Sequence, residues 1–443
     1  MRAPISEFVQ KYSNSGTNRL HMPGHKGLPL IGIESIDLTE INGADVLYDA
    51  SGIIKESQDN ASTLFGSEKT VYSVEGSSLS IRAICYLLRS YAQFKGVKPL
   101  VLAIRNAHKT FSFASAICDL SVEWVYSQDN ITSCNVTAQQ IALAIDNMKV
   151  KPIAVYITSP DYLGNILDVK GISQVCKSRG ILTVVDNAHG AYLAFCENNQ
   201  HPICLGADIC CDSAHKTLPA LTGCGYLHFS KDAPKYFIDN AQTAMSNFAS
   251  TSPSYLLLQS LDLLNLYLNG EYKAKLKQTI ERLDKFKNSL IDLGFELVGN
   301  EPLKVTISAK SYGYTGNQLA QILRDKGYEV EFSDPDFLVM MFTPENVGCL
   351  DDLLEVYKNI KQKKKIKTKA PVVKKGKRAI NPKKVLFMPT EVVDIDSALG
   401  RVLGENAVGF PPCVPIATLG EKVTKNVIDC CKYYSIETIK VVK

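Results

Sequence analysis

The stretch KPIAVYITSPDYLGNILDVKGISQVCKSRGILTVVDNAHG, residues 151–190, decides the architecture. It opens on an apolar run, 151–159, and closes on another, 181–186; between them 171–180 has apolar positions three and four apart. Short runs with so few polar residues suit strands buried on both faces, as in a parallel sheet. The spacing between them is that of an amphipathic helix. Working outward, VKPLVLAI (97–104), VEWVYS (122–127) and ADICCDS (207–213) read as further strands, and 78–94 and 137–148 as further helices. Strands alternating with helices predict an α/β domain with a mostly parallel sheet and helices on both faces. Ligands of such sheets sit beyond the carboxyl ends of the strands. Further out, 255–293 turns strongly helical. Strand-like runs at 303–309, 328–334 and 337–343, with helices near 316–326 and 349–362, predict a smaller α+β domain. No repeat of 20–50 residues is visible, which argues against a solenoid.

The 443-residue length exceeds one simple core. With 45% apolar and 21% charged residues the composition is that of a soluble globular protein. The opening MRAPISEFVQKYSNSG has no apolar run of the kind an export signal needs, and no stretch nears the ~20 apolar residues of a membrane span. Thirteen cysteines, odd in number and irregularly spaced, argue against a disulfide framework and for a reducing cytoplasm. Cys210–Cys211 and Cys430–Cys431 are adjacent pairs that read as small buried hydrophobes, so no metal site is expected. Net charge is +4, but residues 361–384 hold twelve Lys/Arg and no acid, which leaves the remainder at −8. Without interleaved aromatics for base stacking, that run reads as a solvated linker; neither nucleic acid nor membrane is an expected partner.

DSAHKTLPALTG (212–223) follows a strand and so forms a loop at the sheet's edge. A lysine preceded there by a serine and a histidine is what an aldehyde cofactor such as pyridoxal 5′-phosphate (PLP) would use. Lys216 can form a Schiff base if its amine is partly desolvated, and Ser213 and His215 could contact the phosphate. The plainer reading is a solvated loop lysine. Asp186, ending a buried strand, suits a partner for a protonated pyridine nitrogen; capping of the next helix is the alternative. His189 either faces the same site or is a buried structural histidine. Gly76, Ser77 and Ser78 precede a long amphipathic helix whose N-terminus is a ready anion cradle, although a simple cap looks the same. His108, in IRNAHKTFSFA (104–114), offers a flat ring to stack on the cofactor, or is a surface histidine. Lys109 is a second candidate lysine without the Ser/His context of Lys216.

Taken together, these segments resemble the Orn/Lys/Arg decarboxylases of the major group, with the aspartate-aminotransferase type of PLP fold. The resemblance runs nearly end to end. LHMPGHKG (20–27) is similar to the family's opening signature, and DLTEINGADVLYDASGIIKESQDNASTLFGSEKTVYSVEGSS (37–78) to its next block. RNAHKT (105–110), SPDYLGNILD (159–168), VVDNAHGAY (184–192), DSAHKTLPALTG (212–223) and STSPSYLLLQSLD (250–262) fall in family order. ALGRVLGENAVGFPPCVPIATLGE (398–421) is similar to the signature of the family's C-terminal domain.

The resemblance implies PLP-dependent decarboxylation of a basic amino acid, arginine first, then lysine or ornithine, giving a polyamine precursor and CO2. Lys216 would carry the cofactor, Asp186 would pair with the pyridinium, and His108 would stack on the ring. Ser77, Ser78, Ser213 and His215 would hold the phosphate, and Glu421 would meet the substrate's distal cation. Expected boundaries are an N-terminal arm (1–19), a PLP-binding large domain (20–265), a small α+β domain (266–360), the basic linker (361–384) and a C-terminal domain (385–443). The chain resembles the short form, without the receiver-like N-terminal wing, for which a homodimer or larger homo-oligomer is expected. It departs from the family at Asn187 and Tyr192, where Glu and His are frequent, and at Cys413 and Leu419, where Gly and Pro are. A glutamate at 75 also precedes the Gly-Ser-Ser. Another PLP reaction, transamination or lyase chemistry, and a diverged non-catalytic paralogue are the alternatives.

Overall fold

The computed structural model describes residues 1–127, 133, 135–408 and 414–443; Cys413 lies outside the described residues. Seven strands form the large sheet: β1 (Lys69–Ser73), β2 (Leu100–Ile104), β3 (Ser121–Val125), β4 (Ala154–Thr158), β5 (Leu182–Asp186), β6 (Ile209–Asp212) and β7 (Gly225–Phe229). One group has the order β1-β7-β6-β5 and the other β4-β2-β3. The α/β reading therefore holds. The chain divides into two compact units, Met1–Val97 with Val169–Lys275, and Lys98–Asp168 with Leu276–Lys443.

In the first unit β5 and β6 pair in parallel, whereas β7 runs antiparallel to both β6 and β1. The sequence did not single out β1 and β7, because Thr70, Tyr226 and His228 interrupt their apolar runs; all three are buried in the structure. Helix Gly76–Phe94 begins two residues before the expected start, so Gly76, Ser77 and Ser78 form its first turn. Its stripe of Leu79, Ala83, Leu87 and Ile84, Leu88 is fully buried. Each Leu or Ile so placed contributes roughly 1.5–3 kcal/mol. Pro4 fits the first turn of helix Pro4–Ser13 because its missing N–H has no partner there anyway. That helix docks through Ser6 N–H to Asp262 Oδ2 (2.9 Å), and Asp262 Oδ1 accepts from Ser57 Oγ (2.6 Å). Burial raises the Asp262 carboxyl, and these donors offset part of the rise.

In the second unit β2 pairs in parallel with β3 and β4. A separate four-stranded antiparallel sheet has the order β10-β11-β9-β8, from β8 (Leu297–Val298), β9 (Lys304–Ser308), β10 (Phe332–Ser333) and β11 (Phe337–Met341). The run expected as a strand over 328–334 narrows to β10. Gly327 turns at φ +83, and the Val330 N–H donates to the Glu329 carboxylate (3.2 Å) instead of to a neighbouring strand. Near the C-terminus, strands Thr390–Asp394 and Thr438–Val442 pair antiparallel over a core that includes Leu403, Ile416, Val427 and Val441. The basic run 361–384 has mostly exposed lysines, yet its backbone is tied down: Lys363 N–H bonds Tyr312 O and Ile366 N–H bonds Lys310 O, both at 3.1 Å. Among the described residues no helix is long and apolar enough to cross a membrane.

Candidate active site

Two strand ends and one helix start bring the candidate residues of the first unit together. Asp186 is the last residue of β5 and only 2% exposed; in the parallel register its partner on β6 is Cys211, whose Sγ lies 3.8 Å from Asp186 Oδ1. Asp186 Oδ1 also accepts from Ala188 N–H at 3.3 Å. Burial, and then the charge of Asp186, push the Cys211 thiol far up, so it stays protonated.

After β6 the chain enters a single helical turn, Ala214–Thr217, which presents Lys216 half-buried with Nζ 3.2 Å from His189 Nε2. His189 is itself buried. A histidine nitrogen at that distance can exchange a proton with the lysine amine, which solvent reaches poorly.

Ser213 Oγ donates to Ser77 Oγ at 2.9 Å, joining the turn that carries Lys216 to the first turn of helix Gly76–Phe94. That helix has no acid in its first turn, and Ser78 lies there half-buried. Gly76 takes φ +65, and a Cβ on Gly225 would sit 2.8 Å from Asp212 O and 3.0 Å from Gly76 C. Glycine at 225 therefore lets three backbone segments close around the helix start. His215 donates from Nδ1 to Cys224 O (2.8 Å). Burial lowers the His215 pKa, with the Cys224 bond working against it and Lys216 adding to it. The imidazole is thus a neutral donor rather than a fixed cation.

The set fits PLP. The positive end and the hydroxyls at the start of a 19-residue helix suit a phosphate. A buried carboxylate at a strand end suits a pyridinium, and a half-buried lysine suits an aldehyde. The remaining expected residues belong to the second unit. His108 is the N-cap of helix Lys109–Ile117: Nδ1 accepts from Thr110 N–H at 3.2 Å, which leaves Nε2 to carry the proton of the neutral ring. Glu421 is 5% exposed, and its Oε2 accepts from Thr418 N–H at 3.0 Å. Glycine at 376 makes room for it, since a Cβ there would meet Oε2 at 2.6 Å. Leu419 is buried, with its N–H on Asn406 Oδ1.

Sequence reasoning missed a second group of polar residues in the first unit. Asp212, His201 and His228 are all fully buried, and His201 Nε2 lies 3.0 Å and His228 Nε2 3.3 Å from Asp212 Oδ2. The signal was in ADICCDS: a carboxylate in a buried strand, the same cue that singled out Asp186. In the second unit Arg105 is likewise buried, bonding Ile416 O (3.1 Å) beneath the rings of Trp124 and Tyr126.

Comparison with known proteins agrees with this geometry. The family model for Orn/Lys/Arg decarboxylase, major domain, matches residues 3–296. An arginine decarboxylase of Bacillus anthracis is 29% identical over 96% of this chain and 91% of its own length. One from Bacillus subtilis is 28% identical over 95% and 91%. Among solved structures, a Francisella novicida lysine decarboxylase superposes with a TM-score of 0.81 at 17% identity, covering 100% of this chain and 81% of that one. A Pseudomonas aeruginosa lysine decarboxylase does so at 0.82 and 15% identity, covering 99% and 80%.

Proposed function

The chain belongs to the Orn/Lys/Arg decarboxylase family, and from that premise we propose that its substrate is arginine and that Lys216 is the residue that holds its cofactor. It is a PLP-dependent enzyme that removes the carboxyl group of a basic amino acid as CO2. Bound at this site, PLP supplies the electron sink for the pair released with CO2.

The chain's own residues do the rest. Ser77, Ser78, Ser213 and the neutral His215 bind the phosphate at the helix start. Asp186 holds the proton on the ring nitrogen, a task suited to a carboxylate screened from water. Lys216 Nζ would hold the cofactor through its aldehyde, and His189 Nε2, 3.2 Å away, is placed to take or return the proton of that amine. His108 is assigned to the face of the ring and Glu421 to the guanidinium of the substrate, on the strength of the family motifs that carry them. A buried carboxylate is a sound partner for a cationic side chain entering a dry site. Arginine is preferred because four relatives that match 94–96% of this chain bear that name. The product would feed polyamine synthesis, the enzyme would work in the cytoplasm, and a homodimer is the assembly expected of it.

One observation carries the residue assignment. Asp186 and the turn bearing Lys216 leave adjacent, parallel-paired strands, and that turn is tied by Ser213 to the helix start. The test is CO2 release by PLP-loaded protein given arginine, lysine or ornithine separately, with products identified by mass. Agmatine from arginine is expected; cadaverine or putrescine alone would overturn the substrate while leaving the reaction. Lys216→Ala is expected to abolish both turnover and the visible absorbance of the bound cofactor. An undiminished rate in that variant would overturn the lysine assignment.

A further inference from the structure

Side chains alternate across the faces of a strand. Asp186 and Cys211 are register partners in contact, and Ser213, two residues on, reaches Ser77, so these mark the face that carries the cofactor residues. Asn187, Cys210 and Asp212 have the opposite parity. On that far face the Asp212 carboxylate accepts from His201 Nε2 (3.0 Å), Asn187 Nδ2 (2.7 Å) and Cys210 Sγ (3.5 Å), with His228 Nε2 at 3.3 Å. The ring of Phe65 covers both imidazoles, at 5.3 and 4.6 Å between centroids.

The donors come from separate stretches of chain, so Asp212 pins the end of β5 through Asn187, the end of β6 directly, and the loop at His201. The ligand atoms of His201, Cys210 and Asp212 lie within 4.8 Å of one another, a spacing a metal would suit, but Ile203 N–H donates to His201 Nδ1 (3.4 Å). That bond leaves the proton on Nε2, which makes the nitrogen a donor to the carboxylate and not a ligand. The Asn187 backbone N–H also bonds Cys211 O at 2.9 Å, extending the ladder one residue past Asp186. Asn187 thus adjoins Asp186 in the chain, and Asp212 ends the strand that leads directly into the turn carrying Lys216.

We propose that Asp212 is a positioning residue, which from the far face of the sheet fixes the separation between Asp186 and the turn that carries Lys216. The inference deepens the cofactor assignment above and rests on it. A displacement of about 1 Å at such a site costs on the order of a hundredfold in rate. The affinity and the spectrum of the bound cofactor should register it before turnover does.

The experiment uses the full chain loaded with PLP. It compares wild type, Asp212→Asn, Asn187→Ala, and the exchanged pair Asn187→Asp with Asp212→Asn, in which donor and carboxylate trade places. Three quantities are read: the PLP dissociation constant, the pH midpoint of the visible band of the lysine-bound cofactor, and the thermal midpoint. Asp212→Asn is expected to weaken PLP binding by roughly tenfold or more, as loss of a supporting partner does at comparable sites, and to displace the pH midpoint. Asn187→Ala should shift both in the same sense, and it carries the measurement if Asp212→Asn does not fold. The exchanged pair should recover most of the affinity. Wild-type affinity and midpoint in both single variants, with only the thermal midpoint lowered, would overturn the proposal and leave Asp212 a purely structural group. A wild type with no visible band would instead overturn the cofactor assignment on which it rests, a result distinguishable from the first.

Discussion

Each unit buries a charge, and the two satisfy it in opposite ways. In the first, the Asp212 carboxylate is held by the amide, imidazole and thiol donors of residues 187, 201 and 210, with His228 Nε2 3.3 Å away. Burial alone would raise its pKa, but electrostatic attraction to His201, followed by the hydrogen bonds of His201 and His228, more than reverses that, so it lies well below the usual carboxylate range. Burial also lowers His228, keeping that ring neutral. In the second unit Lys304 and Glu301, each with a side chain 1% exposed, form a true ion pair, Nζ to Oε2 at 2.9 Å, with Lys304 Nζ also bonding Asp161 O at 3.2 Å. One solution is convergent and spread over several partners; the other is local, three residues apart, and depends on a single counter-charge. The first unit's arrangement should therefore tolerate loss of charge while remaining sensitive to geometry. The second's should tolerate neither partner's removal alone.

The largest effect is expected from Lys304→Met, which leaves Glu301 buried beside an apolar chain. Removing one partner of such a pair costs about 3–5 kcal/mol, and urea unfolding of the variant checks it. Adding Glu301→Gln should return part of that loss. A double variant as unstable as the two single losses added together would show that the two charges do not interact. Asp212→Asn should cost less, about 1–3 kcal/mol, because it removes a charge without stranding another and keeps an acceptor oxygen for the imidazoles. If it proves as costly as Lys304→Met, the Asp212 charge matters as much as that of the ion pair and the contrast between the units disappears.

How much of this could be read beforehand follows from the same contrast. The alternation of apolar runs and amphipathic stretches from 97 to 213 was legible because parallel strands buried on both faces leave little room for polar residues, and β2 to β6 sit within a few residues of where that pattern puts them. Lys216, Asp186, Ser77 and Ser213 were legible as residues out of place at strand ends and at a helix start. β1 and β7 were not, since each spends a position of its run on a polar residue, Thr70 and His228, that bond each other at 2.9 Å. Asp212 escaped notice because its partners reach it only through strand pairing and a loop. No local spacing links 187, 201, 212 and 228, whereas Lys304 and Glu301 are neighbours in the sequence itself.

The smallest expected effect concerns a carboxylate that neither solution serves fully. Asp208, just ahead of β6, accepts from Thr183 N–H at 2.7 Å but forms no ion pair among the described residues. Burial raises its pKa to about 6; the Thr183 bond offsets part of that, nearby Asp232 adds to it, and Lys177 opposes it. Lys177 is mostly exposed and already engaged by Asp232 at 2.7 Å. Because the folded-state pKa lies above that of the unfolded chain, the native state binds more protons between about pH 4 and 6. The contribution of this group to stability is therefore greatest at the acidic end of that window and declines as pH rises through it. Thermal midpoints of wild type and Asp208→Asn across pH 4 to 7 check the sign. The variant should lose that part of the pH dependence and gain stability relative to wild type at neutral pH. Partial exposure and the screening by Lys177 keep the gain small. A variant whose midpoint falls relative to wild type as pH rises would mean that the Thr183 bond outweighs burial, and that Asp208 is satisfied in the same manner as Asp212.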